Sequence, residues 1–196
     1  MTRPHTLQLA STSPRRREIL AALGLEFTVV HVDVDETPRD GERPDEMVVR
    51  LAVAKAEAAP NGTGVAVVAA DTAVVVDGRI HGKPASEDDC VATLAALAGR
   101  GHTVFTGVAL RTAAGTRTAL SATDVHFRDI GRDEALAYWQ SGDPRDKAGA
   151  YGIQGLGGLF VERIEGSYSG VVGLPVFETA ALLAEAGFGP LDRRRS

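Results

Sequence analysis

Val65-Ala66-Val67-Val68-Ala69-Ala70 is a near-continuous apolar run of strand length, and Asp71 closes it. A strand apolar on both sides belongs in the middle of a sheet that is covered on both faces. The run therefore predicts an α/β protein with Asp71 at the C-terminal end of a central strand, where open α/β sheets hold their ligands. Just downstream, Ala73 to Ile80 carries Asp77-Gly78 between apolar residues, the pattern of a tight hairpin. Upstream, Thr6 to Ala10 reads as a short strand running at once into Ser11-Thr12-Ser13-Pro14 and a helix to Leu23. Ser13 suits the N-cap, Pro14 the first helical position and Gly24 the stop.

The remaining elements follow the same alternation. Phe27 to Val32 is strand-like and leads into an acidic loop, Asp33 to Pro44. A helix is expected from there to about Ala59, with Met47, Leu51, Ala54 and Ala58 as its apolar stripe and Lys55 beside it. Ser86 with Asp89 resembles a capping box opening a helix to Leu97. Two long β segments, Thr103 to Arg111 and Thr116 to Phe127, meet at Ala113-Ala114-Gly115. A helix near Asp133 to Gln140, a glycine-rich stretch from Gly149 to Gly158, a strand from Leu159 to Ile164 and a helix from Pro175 to near Gly187 complete the chain. No linker divides these elements, so all 196 residues read as one domain, with a solvated tail from about residue 190 that includes Arg193-Arg194-Arg195.

Composition narrows the class. Hydrophobic residues at 44% and charged residues at 24% are those of a packed protein. No apolar run is long enough to span a bilayer and no signal peptide is apparent, so a cytoplasmic location is expected. The single cysteine, Cys90, excludes an intrachain disulfide and a thiolate metal cage. A formal net charge of −5 disfavours extended nucleic-acid binding, although a small phosphate ligand needs only a local basic pocket.

Three sets of residues invite a chemical reading. Ser11, Ser13, Arg15 and Arg16 stand at a strand-to-helix junction, where helix N-terminal amides, hydroxyls and guanidinium groups favour an anion. Asp71 and Glu36 offer two carboxylates of the kind that hold a hard cation such as Mg²⁺ for phosphate-ester chemistry. In isolation, Asp33-Val34-Asp35-Glu36 reads better as a solvated loop. Lys83 in Gly82-Lys83-Pro84 is not part of a Walker loop, because Asp77 and Pro84 occupy the positions of its first glycine and its Ser or Thr. Pro38 likewise breaks an EF-hand pattern, and Gly155-Leu156-Gly157-Gly158 lacks dinucleotide-fingerprint spacing. The five histidines are scattered without metal-ligand spacing.

Taken in order, several segments resemble the Maf family (septum-formation-inhibitor-like proteins). They are Leu9 to Arg16, Asp35-Glu36, Ala54-Lys55-Ala56, Ala70-Asp71-Thr72, Gly82-Lys83-Pro84, Gly99 to His102 with Thr106-Gly107-Val108, Asp146 to Gly155, and Val171 to Pro175. They spread over about residues 7 to 186. The resemblance implies a two-lobed α/β fold, a mixed sheet with flanking helices and a central substrate cleft, akin to the inosine-triphosphate pyrophosphatases (Ham1). It implies a nucleoside triphosphate pyrophosphatase that depends on a divalent cation, Mg²⁺ or Mn²⁺, with Asp71 and Glu36 as metal-associated residues. Asp71 matches the proton acceptor, and Glu36, Lys55 and Lys83 join it in the catalytic set. A carboxylate near its usual pKa of roughly 4 is a poor base toward free water, so the cation's effect on water acidity belongs to the same expectation. Ser11, Ser13 and Arg15 match substrate-binding positions.

The run Asp146 to Gly155 is similar to the subgroup acting on dTTP and UTP, with Arg16, Thr72 and Gln154 at its specificity positions. A glutamine amide offers a donor and an acceptor, complementary to the 4-oxo and N3–H edge of uracil or thymine. Modified pyrimidine triphosphates are further expected substrates. The family's name suggests an alternative, a nucleotide-sensing regulator of cell division whose hydrolysis is incidental, and a homodimer rests on the resemblance alone. Where family members often carry an Asn before the Val171–Pro175 segment, this chain has Gly170.

Overall fold

The computed structural model describes residues 6–60 and 62–189, so the expected tail at 190–196 lies outside the described residues. The strands are β1 (Thr6–Ala10), β2 (Thr28–Val30), β3 (Val65–Val76), β4 (Arg79–His81), β5 (Gly101–Thr112), β6 (Gly115–Phe127) and β7 (Val161–Glu165). The helices are α1 (Pro14–Ala22), α2 (Pro44–Ala58), α3 (Glu87–Leu97), α4 (Arg132–Gln140), α5 (Tyr168–Val172) and α6 (Val176–Glu185). The strands form one mixed seven-stranded sheet in the order β2-β1-β3-β5-β6-β7, with β4 paired to β3. β1 runs parallel to both neighbours, Leu9 pairing with Val29 and Val68, whereas β4 and β7 are antiparallel to their partners. The expected mixed α/β fold is what the chain adopts.

Two compact units share this chain. The first comprises the described residues up to Asp71, Thr106–Ser121 and those from Gly173 onward; the second comprises Thr72–Phe105 and Ala122–Val172. In the first unit Leu7, Leu9, Val68 and Ala70 pack with Leu20 of α1 and Leu182 and Leu183 of α6. Ala10, Val67, Ala69 and Ala109 pack with Ala52 and Ala56 of α2. The alternation of odd and even residues along β3 thus feeds two separate cores, as strand geometry requires. Asp71 has the parity of Val67 and Ala69 and so falls on the side of α2.

α2 lies very close to the sheet. A Cβ at Gly107 of β5 would come within 2.6 Å of the Val48 carbonyl carbon and oxygen, so only glycine fits there. The buried face of α2 is Met47, Val48, Leu51, Ala52 and Ala56, which corrects the stripe expected from sequence: Ala54 is only half-buried and Ala58 is exposed. In an alanine-rich helix the apolar and polar faces differ too little for periodicity to fix the rotation.

The second unit gathers α3, α4 and the strand residues Val74, Val76, Val104, Val125 and Phe127 around Tyr138, Tyr151 and Phe160. Asp77 and Gly78, at φ 51° and 73°, make the expected hairpin. Ser86 caps α3 by accepting from the Asp89 amide at 3.2 Å, and Asp89 accepts in return from the Ala85 amide. The glycine-rich stretch and the residues just before it fold into short 3₁₀ turns at Asp143–Asp146, Ala148–Ala150 and Leu156–Phe160, and the strand expected from Leu159 begins at Val161 and runs to Glu165.

Candidate active site

One expectation about the site is overturned. Asp71 does not end a strand; it stands inside the twelve-residue β3, which continues through Thr72 to Val76. An aspartate in a strand interior is locally unfavourable. What holds it is a distant partner: Lys55, on α2, donates from Nζ to Asp71 Oδ1 at 2.6 Å. The same ammonium lies 2.5 Å from Glu36 Oε1. The side chains of Lys55 and Asp71 are each 12% exposed, and that of Glu36 is 61% exposed. Two carboxylates from separate elements therefore converge on one cation at a mostly buried spot in the first unit.

The junction of β1 and α1 belongs to the same unit. Ser13 caps α1 by accepting from the Arg16 amide, and Ser11 Oγ accepts from the Ser13 amide at 3.2 Å and from Arg16 Nη1 at 3.4 Å. A hydroxyl has two lone pairs and one proton, so those acceptances leave the Ser11 O–H to donate to an anion. Arg16 also donates from Nε to the Gly173 carbonyl at 2.8 Å, which fixes its guanidinium between two segments of the unit. Burial lowers the Arg16 pKa, and the nearby carboxylates of Asp71 and Glu36 act against that shift. Arg16 thus lies within electrostatic reach of the Lys55 cluster. Arg15, the neighbouring cation, is partly buried.

Lys83, Thr72 and Gln154 belong to the second unit. Lys83 is exposed in the turn after β4, where the Gly82 carbonyl accepts from the Gly149 amide at 3.0 Å. Gln154 is exposed in the stretch after the Ala148–Ala150 turn. That stretch is built around Tyr138, whose hydroxyl donates to Asp143 Oδ2 at 2.8 Å and accepts from the Gly152 amide at 3.2 Å. Gly157 leaves no space for a side chain, because its Cβ would meet the Tyr138 hydroxyl at 2.7 Å and the Gly152 backbone at 2.8 Å, whereas one on Gly152 would meet only the movable end of the Lys147 side chain. At Gly170 the amide donates to Ser167 Oγ, which also contacts Ser169 Oγ. Arg50, Glu42, Tyr138 and Asp143 had no motif in the sequence to announce them.

A mixed-sheet α/β protein that sets a carboxylate pair around a lysine, with a serine- and arginine-bearing helix start in the same unit, is a scaffold for phosphate chemistry. Residues 6–186 match the family described as Maf-like protein, and the chain belongs to that family. A dTTP/UTP pyrophosphatase of Methylobacillus flagellatus is 50% identical over 184 residues, covering 92% of each chain. The protein of the same name from Methylococcus capsulatus is 51% identical over 187 residues, covering 93% of this chain and 92% of that one. Among solved structures, the Ham1 protein of Staphylococcus aureus aligns at 17% identity and a TM-score of 0.45, covering 63% of this chain and 72% of that one. Among the described residues no helix is long and apolar enough to cross a membrane.

Proposed function

We propose that this protein is a dTTP/UTP pyrophosphatase, hydrolysing the α–β anhydride to give a nucleoside monophosphate and pyrophosphate. The observation that carries the proposal is the convergence of Glu36 and Asp71 on Lys55, in a chain about half identical to relatives of that name. Asp71 is the proton acceptor. Lys55 fixes its Oδ1, and Oδ2 takes the proton of the water that cleaves the anhydride. Lys55 then offers its positive charge to the charge that develops on the phosphates.

The residues fit a divalent cation. No group of three or more His, Cys, Asp or Glu gathers among the described residues, but two carboxylates already surround one positive charge. One or two carboxylates completed by substrate phosphates is the usual donor set for Mg²⁺. Glu36 and Asp71 would hold it, and when bound it supplies charge neutralisation at the phosphates and makes water more acidic.

Ser11, Ser13 and Arg15 serve the anionic part of the substrate. Arg16, held by Ser11 and the Gly173 carbonyl, is a rigid specificity contact. For Lys83, Thr72 and Gln154 the motif match carries the assignment. A Gln154 amide can pair with the 4-oxo and N3–H edge that uracil and thymine share, and one thymine methyl is worth only about 1–3 kcal/mol. Both dTTP and UTP are therefore substrates.

The test is a panel of dTTP, UTP, dCTP, dGTP, ATP and 7-methyl-GTP with Mg²⁺ or Mn²⁺, products separated by chromatography. Equal monophosphate and pyrophosphate from dTTP and UTP, with little from the others, is expected. Orthophosphate as the primary product would overturn the assignment.

A further inference from the structure

Glu36 sits on a loop that needs an anchor. Residues 31–43 contain neither helix nor strand, and the Glu36 side chain is 61% exposed. A loop of that length without secondary structure of its own is uncommon in a compact unit and is held, where it is functional, by specific contacts. The lysine contact at its tip is a weak restraint by itself, because an exposed ion pair loses most of its strength to solvent.

The anchor is on α2. Arg50 donates from Nε to Glu42 Oε1 at 2.5 Å and from Nη2 to Glu42 Oε2 at 2.7 Å, a two-pronged fork. The same Nη2 donates to the Thr37 carbonyl at 3.2 Å. Thr37 is the residue after Glu36, and its amide in turn donates to Asp35 Oδ1 at 2.9 Å. Glu42 also accepts from the Arg39 amide, and the Glu42 amide donates to the Arg39 carbonyl, so the far end of the loop is closed on itself. The Arg50 and Glu42 side chains are 19% and 9% exposed. The fork with Arg50 holds the Glu42 carboxyl down to about 2, so the pair is charged at neutral pH.

We infer that Arg50, through its fork with Glu42 and its bond to the Thr37 carbonyl, is the positioning residue that sets Glu36 against Lys55 and Asp71. α2 then carries both ends of the arrangement: Arg50 fixes the loop that bears Glu36, and Lys55, five residues on, receives the carboxylate. Lysine cannot replace Arg50, because an ammonium has no planar fork with which to span Glu42 and reach the Thr37 carbonyl together. The inference rests on the proposed role of Glu36.

The experiment is a double-mutant cycle on pyrophosphate release, using the full chain as wild type, Arg50→Gln, Glu36→Gln and the double variant, each checked for folding by its unfolding midpoint. A misplacement of this kind is worth up to about 100-fold. Arg50→Gln should lower kcat/KM by one to two orders of magnitude in the Glu36 enzyme and by less than about twofold in Glu36→Gln, because a residue acting through Glu36 has nothing left to position. Arg50→Lys should recover little. Glu42→Gln gives the same cycle from the other prong and replaces Arg50→Gln if that variant fails to fold. Equal losses from Arg50→Gln with and without Glu36 would overturn the inference. Wild-type activity in Glu36→Gln alone would instead strike the role of Glu36, a distinct outcome read from that variant by itself.

Discussion

Replacing Lys55 with Met removes the ammonium that contacts both carboxylates while keeping the stem's volume. At an effective dielectric of about 20, each contact carries several kcal/mol of attraction before dehydration is subtracted. The Glu36 pair, with that carboxylate 61% exposed, nets no more than about 1 kcal/mol. The Asp71 pair, 12% exposed on both sides, dominates. Removing one partner from a buried pair costs about 3–5 kcal/mol, and the open side toward Glu36 moderates this to about 2–3 kcal/mol. For a chain of 196 residues that loss lowers Tm by roughly 5–10 °C. Thermal unfolding followed by circular dichroism, without nucleotide, measures it. Added Mg²⁺ should raise Tm more in Lys55→Met than in wild type, because a ligand that binds only the folded state stabilises it and the carboxylates have lost their internal cation. An unchanged Tm, or the same loss in an Asp71→Asn background, would refute the reasoning.

Two further outcomes follow from the packing. Gly107→Ala should cost about 3 kcal/mol, at the upper end of overpacking penalties, because its new methyl would strike the α2 backbone and no flexible side chain can yield. Gly131→Ala, with nothing within 4 Å, is the control, and urea midpoints compare the two. His102 is 4% exposed, with Nε2 against the Tyr151 hydroxyl, and burial holds its pKa down to about 4 from an ordinary 6.5. The unfolded chain binds a proton below 6.5 that the folded chain refuses until about 4. Stability is therefore full above that window and falls, by an amount on the order of 3 kcal/mol, as pH drops through it. Urea unfolding at several pH values should show the slope in wild type and a flatter profile in His102→Gln.

Local signals in the sequence carried to the structure where the cause was local. Ser13, Pro14 and Gly24 bound α1; Ser86 and Asp89 open α3; Asp77-Gly78 turns the hairpin. Asp71 was misplaced within its strand because an aspartate reads as a stop, and the lysine that keeps it in the strand is sixteen residues earlier on another element. The face of α2 was misjudged because alanines fill both sides, and α5, five residues with a glycine in the middle, gave no periodicity to read. The glycine-rich stretch was visible but its reason was not: its glycines make room for Tyr138, Asp143 and Lys147, contacts that only folding creates. Of the site, Asp71, Glu36, Lys55 and the α1 start were marked by motif. Arg50 and Glu42 were not, since nothing in an eight-residue separation across a loop announces a fork.

The most direct test is pyrophosphate release from dTTP and UTP by Asp71→Asn beside wild type, with folding of both confirmed by their unfolding midpoints. If Asp71 is the proton acceptor, as proposed, its loss should reduce kcat by about 10²–10⁴-fold while the protein stays folded. A folded Asp71→Asn variant that releases pyrophosphate at the wild-type rate would contradict the account.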